Sequence, residues 1–148
     1  MEIGEERLIN PPSNYIFPSV GNHTVDIQID ISQITSFANF FKYTNLISIS
    51  FYPSFYNENI KDMSGFFSGC IKLVSIDMSN FQSQNIINMR NLFESCRSLI
   101  SLDFSNINTK NVLDMKGMFS GDYSLKILDL SSFNTEKVTD LSYIFSNC

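Results

Sequence analysis

The sequence predicts an α/β solenoid, a right-handed stack of coils with one parallel strand and one short helix per 26-residue repeat. Three observations carry this. Sliding the chain by 26 residues superposes Phe41, Phe67, Phe93, Phe119 and Phe145. Four further columns match: Phe37, Met63, Met89, Met115 and Leu141; Ile34, Ile60, Ile86, Val112 and Val138; Leu73, Leu99 and Leu125; Ile76, Leu102 and Leu128. Within each unit, two hydrophobic periods alternate. Self-similarity at a fixed period of this size is the signature of stacked repeats.

The elements follow in order. Residues 73–98, 99–124 and 125–148 are ungapped against one another, and a degraded unit starts at Leu46, one residue longer near its head. In the head of a unit, Leu102 and Phe104 lie on one face, with Ser101, Asp103 and Ser105 on the other. That alternation predicts a half-buried strand. In the tail, Val112, Met115, Met118, Phe119 and Asp122 are spaced by three and four, and Ile86, Met89, Leu92, Phe93 and Cys96 repeat the stripe. That spacing predicts a short helical turn. Residues 106–111 (NINTKN) form a polar bend between the two, and Gly69 and Gly121 suit left-handed caps at the helix ends. One coil would leave its apolar layer wet on both sides. Stacking at about 4.8 Å buries each layer on the next.

Residues 1–45 read as an N-terminal cap with a partial repeat, and 46–148 as about four repeats. Turn-rich punctuation at residues 10–14 and 18–22 precedes an alternating strand at residues 25–31. The stripe ending at Cys148 leaves an open apolar layer, which predicts that the array continues beyond the C-terminus.

Composition narrows the function. Apolar residues make up 43% of 148, which supports a real core and excludes a disordered chain. A net charge of -5 with no basic patch argues against nucleic-acid binding. No stretch of 18 apolar residues predicts a membrane span, and the charged start MEIGEERLIN is no secretory leader.

The recurring L-x-S-L-D-x-S-x-F-N-T-x-x-V-x-D-M-x-x-M-F-x-x-C pattern resembles the 26-residue repeat of the BspA-like leucine-rich-repeat group of bacterial surface proteins. The resemblance covers residues 46–148 and part of 34–45. It implies a leucine-rich-repeat-like stack acting as a non-enzymatic, extracellular or surface-attached array, often in adhesion. The common leucine-rich repeat has Asn or Cys where this chain has Phe81, Ile107 and Phe133. No buried asparagine ladder is therefore available, and a stack straighter than the wide horseshoe is an open alternative.

The candidate binding surface is the outer strand face: Ser75, Asp77, Ser79, Ser101, Asp103, Ser105, Asp129 and Ser131. A rigid, neutral-polar face repeated at each coil suits a protein or glycan partner, and a merely solvated face is the alternative. Carboxylates about 5 Å apart in water repel by only about 0.8 kcal/mol, so the Asp column needs no metal. No metal, cofactor or catalytic residue is expected. There is one histidine, His23, no Cys-x-x-Cys spacing and no Gly-rich phosphate loop.

Cys70, Cys96 and Cys148 share a column that Asp122 interrupts. They read as buried free thiols or as a Cys70–Cys96 bridge, and thiols so placed suit a reducing compartment equally well. Phe51, Tyr52, Pro53, Phe55 and Tyr56 offer either an aromatic platform or irregular core packing near the cap. Asn22-His23-Thr24 is a glycosylation sequon, a triplet common by chance in an Asn-rich chain.

Overall fold

A computed structural model describes residues 34–51 and 57–148, together with the backbone of two strands, β1 (Glu6–Ile9) and β2 (Val25–Gln28). The sequon and the aromatic cluster at residues 52–56 lie outside the described residues. β1 and β2 pair in parallel, with Glu6 opposite Val25. The repeat heads form β3 (Ser48–Ser50), β4 (Ser75–Asp77), β5 (Ser101–Leu102) and β6 (Ile127–Leu128). β3 pairs with β4 and β5 with β6, each in parallel and in register with its repeat.

The alignment of units is most complete in the tails. Parallel bridges join Ser36 to Asp62, Asp62 to Asn88, Asn88 to Asp114 and Asp114 to Asp140, each one repeat apart. The N–H groups of Met63, Gly65, Phe67 and Gly69 donate to the carbonyls of Asn88, Arg90, Leu92 and Glu94 at 2.7–3.0 Å. Met89, Asn91, Phe93 and Ser95 donate to the following unit in the same way, as do Met115, Gly117, Phe119 and Gly121.

This pattern corrects the expected helix: among the described residues no tail is helical. An α-helix needs its N–H groups for bonds four residues back along its own chain. Here every second N–H instead points to the next unit. The intervening ones close short turns, such as Leu92 to Met89, Glu94 to Asn91 and Cys96 to Phe93. Asn91 and Ser95, the third residues of the first and last of these turns, have φ of 54° and 61°, the left-handed value a type II turn requires there. Turns repeating every four residues bury Met89, Leu92, Phe93 and Cys96 on one side and so imitate helical spacing.

Gly69 and Gly121, expected as helix caps, do have positive φ (73° and 81°), but as turn residues. At Gly69 a second constraint acts: the Tyr43 ring of the preceding unit lies where a Cβ would sit. Gly117 is likewise covered by the Asn91 side chain.

The core is one cluster running through the units. The phenylalanine column stacks face to face: Phe41–Phe67, Phe67–Phe93, Phe93–Phe119 and Phe119–Phe145 have centroids 5.5–5.9 Å apart and planes within 10° of parallel. Aromatic pairs contribute about 0.5–1.5 kcal/mol beyond their buried area. Phe41 is 6% exposed, whereas Phe145 at the other end is 47% exposed.

A buried hydroxyl ladder stands in for the missing asparagine ladder. Ser83 Oγ accepts the Asn108 N–H at 2.8 Å and donates to the Asn108 carbonyl at 3.1 Å. Thr109 Oγ1 treats Asn134 identically, at 2.7 and 3.0 Å. Each hydroxyl therefore satisfies both backbone groups of one residue in the next bend, which explains its burial. Thr109→Val keeps the shape but removes both bonds to Asn134, so at about 0.5–1.5 kcal/mol per bond it should cost about 1–3 kcal/mol in urea denaturation. Thr109→Ser should stay within about 1 kcal/mol of the parent.

Candidate functional site

On the strand face the backbone alternates as the sequence requires. Ser75, Asp77, Ser101 and Asp103 are exposed, while Leu102, Phe104 and Met78 are buried. The carboxylates have a local task. Asp77 Oδ1 accepts the Ser79 N–H, Asp103 Oδ1 that of Ser105 and Asp129 Oδ1 that of Ser131, each at 2.9 Å. An Asp side chain bonding two residues ahead folds the chain into an Asx turn. The Asp-x-Ser motif thus bends the chain out of the strand and into the bend.

These bonds favour the charged carboxylate. The Ser79 hydroxyl and N–H hold Asp77 below the ordinary carboxylate value. The Ser105 N–H and hydroxyl do the same for Asp103, against the charge of Asp129, and Ser131 does so for Asp129. Oδ1 of each is occupied by its turn, and the side chains stay at the surface, so the column remains an anionic stripe. Among the described residues no group of three or more His, Cys, Asp or Glu side chains is arranged to hold a metal ion.

Two further features of the surface go beyond the sequence reading. The column just before the strand, Ile47, Val74 and Ile100, is 42–49% exposed and continues as Lys126, while Ile127, opposite Ser101, is 75% exposed. A β-branched residue after the leucine of the first three repeat heads, with Lys126 in the fourth, was the available signal. The second is the reuse of the Asx turn at two other corners. Asn108 bonds to Lys110 and Asp114 to Lys116 in one unit, Asn134 to Glu136 and Asp140 to Ser142 in the next. At the third corner Arg90 reaches Asp114 at 3.8 Å and Lys116 reaches Asp140 at 4.0 Å, both partly exposed and of small energetic weight.

On another side runs a shallow groove past Lys61, Asn85, Ile87, Asn111, Leu113 and Lys137. Two of its polar side chains bond between units: Asn111 Nδ2 donates to the Gln84 carbonyl at 2.9 Å, and its Oδ1 accepts from Lys137 at 3.0 Å.

The three cysteines are free thiols. Cys70 Sγ donates to the Phe41 carbonyl at 3.0 Å and Cys96 Sγ to that of Phe67 at 3.2 Å. Burial pushes both thiols up from their ordinary values, and the charge of Asp122 adds to this at Cys96. Thiols so held are poor nucleophiles.

The repeated surface has a counterpart among known sequences. A family described as Mycoplasma protein of unknown function, DUF285, matches residues 14–126 and, in a second overlapping alignment, 61–148. The chain belongs to this family. No curated protein and no solved structure matches it. Membership says nothing of activity, so the site rests on its own geometry. Among the described residues no helix is long and apolar enough to cross a membrane.

The turn carboxylates set an acid-side dependence. Their folded values lie below the unfolded ones, so their contribution is present above about pH 4 and is lost as pH falls through the folded values. The triple variant Asp77→Asn, Asp103→Asn, Asp129→Asn keeps the acceptor and removes the charge. Its Tm should fall less steeply than the parent's between pH 4 and pH 2.

Proposed function

We propose that the chain is a non-enzymatic interaction scaffold: a BspA-like, leucine-rich-repeat-like solenoid that binds a partner through its strand face. Its setting is extracellular or at the cell surface, in keeping with the resemblance of its repeat to bacterial surface proteins. The observation that carries the reading is the exposed column of Ile47, Val74 and Ile100 at the start of the strands, with Ile127 exposed over Ser101 in the last coil, and the anionic column of Asp77, Asp103 and Asp129 at the strand ends. Exposed aliphatic side chains in line, rimmed by polar groups, are what a protein partner buries, and regular spacing offers one contact on each of three successive coils. Ser75, Ser79, Ser101, Ser105 and Ser131 complete the rim. A glycan would engage the Asp and Ser groups and leave the aliphatic stripe wet, so the geometry favours protein.

A second reading is a spacer that holds another part of a surface protein at a distance. The continuous core and the ladder of bonds between units favour it, since both give stiffness without requiring a ligand. Catalysis finds no support in a surface whose polar residues repeat from coil to coil, because enzyme sites are irregular constellations.

The two readings separate in a binding screen. Labelled protein is applied to protein and glycan arrays, and its captures are repeated with Ile100→Asp, Asp103→Lys and Ser105→Tyr. The strand-face reading expects each substitution to weaken capture about tenfold or more, equivalent to about 1.4 kcal/mol. Lys137→Glu, in the groove on another side, should leave capture unchanged. Undiminished capture by all three variants would overturn the face, and an empty array would favour the spacer.

A further inference from the structure

Asp122 is fully buried in the column that cysteines otherwise occupy. Its Oδ1 accepts the Cys96 N–H at 2.7 Å. Its Oδ2 is, among the described residues, the buried side-chain polar atom without a hydrogen-bond partner. The neighbours in the column show what belongs there. Cys70, Cys96 and Cys148 each donate to a phenylalanine carbonyl 29 residues earlier, at Phe41, Phe67 and Phe119, over 3.0–3.2 Å. The member of that series left over is Phe93, which lies 29 residues before Asp122. A carboxylate has no proton to offer a carbonyl, whereas a carboxylic acid has one.

We propose that Asp122 is the protonated member of the thiol column, donating through Oδ2 to the Phe93 carbonyl, and that loss of this proton loosens the junction between coil 73–98 and coil 99–124. The residue is then a pH-sensitive latch built into the stack.

The surroundings agree. Burial pushes the Asp122 carboxyl up to about 8, opposed by the Cys96 N–H and aided by the negative charge of Glu94. The titratable groups facing it are Glu94 and Cys96 on the preceding coil and Cys148 on the following one. None is a cation, and the ion pairs of Arg90 and Lys116 go to Asp114 and Asp140 instead. Ionised, Asp122 would press its charge against the buried thiol of Cys96, the exposed one of Cys148 and the carboxylate of Glu94. Its second oxygen would also face the Phe93 carbonyl, acceptor against acceptor.

The sign follows from linkage. The folded acid holds its proton to about pH 8, and the unfolded one releases it near pH 4. Stability from this group is therefore full below about pH 4 and falls as pH rises, levelling off above about pH 8.

The test is the Tm of the whole chain from pH 5 to pH 9, beside Asp122→Asn. The amide keeps an oxygen for Cys96, supplies an N–H for Phe93 and cannot titrate. The parent should lose at least about 5 °C across this range while the variant stays flat. Equal slopes in both, or a flat parent, would overturn the latch. Infrared difference spectra of the parent decide the matter even if the variant misfolds. A protonated-carboxyl band at pH 6 that disappears by pH 10 is expected, and its absence would overturn the assignment.

Discussion

Alternate peptide groups of each tail give their N–H to the next coil and receive from the previous one through the adjoining carbonyl. Met63, Gly65, Phe67 and Gly69 do so toward residues 88–94, and the same four positions do so in the coils that follow. The rest of the structure depends on this constraint. Once half the peptide groups are oriented along the stack, the others must turn within their own coil. That demands a left-handed residue at every fourth position, met by Gly65 and Gly69 in one coil and by Asn91 and Ser95 in the next. Glycine then alternates with larger residues for a steric reason as well, since the side chain of Asn91 lies across Gly117.

Side chains follow the register that the backbone sets. Coils that are hydrogen-bonded without slippage place Phe67 on Phe93 and Phe93 on Phe119, so the rings stack nearly parallel. The same register lets one hydroxyl, that of Thr109, serve both backbone groups of Asn134. At the corners, Asp103, Asn108 and Asp114 each bond two residues ahead, so three Asx turns return the chain to its starting edge. The ladder, the core and the corners reinforce one another, which is the local and global consistency that lets a short repeat specify one structure. Asp122 departs from it, a titratable acid in a column of thiols.

Acid residues in this chain thus have two distinct physical roles. Asp77, Asp103 and Asp129 shape turns at the surface, where bonding holds them charged. Asp122 fills a buried site, where desolvation favours the neutral form. The first group faces any partner that approaches the strand side. The second acts only through the cohesion of the coils.

The sequence by itself determined the repeat length, the columns of the core and the outward face. Identical residues at a fixed interval cannot avoid equivalent environments once coils stack, and the alternation around Leu102 and Phe104 needs no tertiary information to be read. It also exposed Asp122 as the odd member of the cysteine column. What only the tertiary structure decided is the form of the tail. A spacing of three and four at Ile86, Met89, Leu92, Phe93 and Cys96 is shared by a helix and by consecutive four-residue turns, so the periodicity could not separate them. The choice between them is made by hydrogen-bond partners one coil away, in residues far along the chain. The same holds for Thr109, whose place in the sequence marks a bend, and whose role as a bond between coils depends on Asn134 lying directly above it.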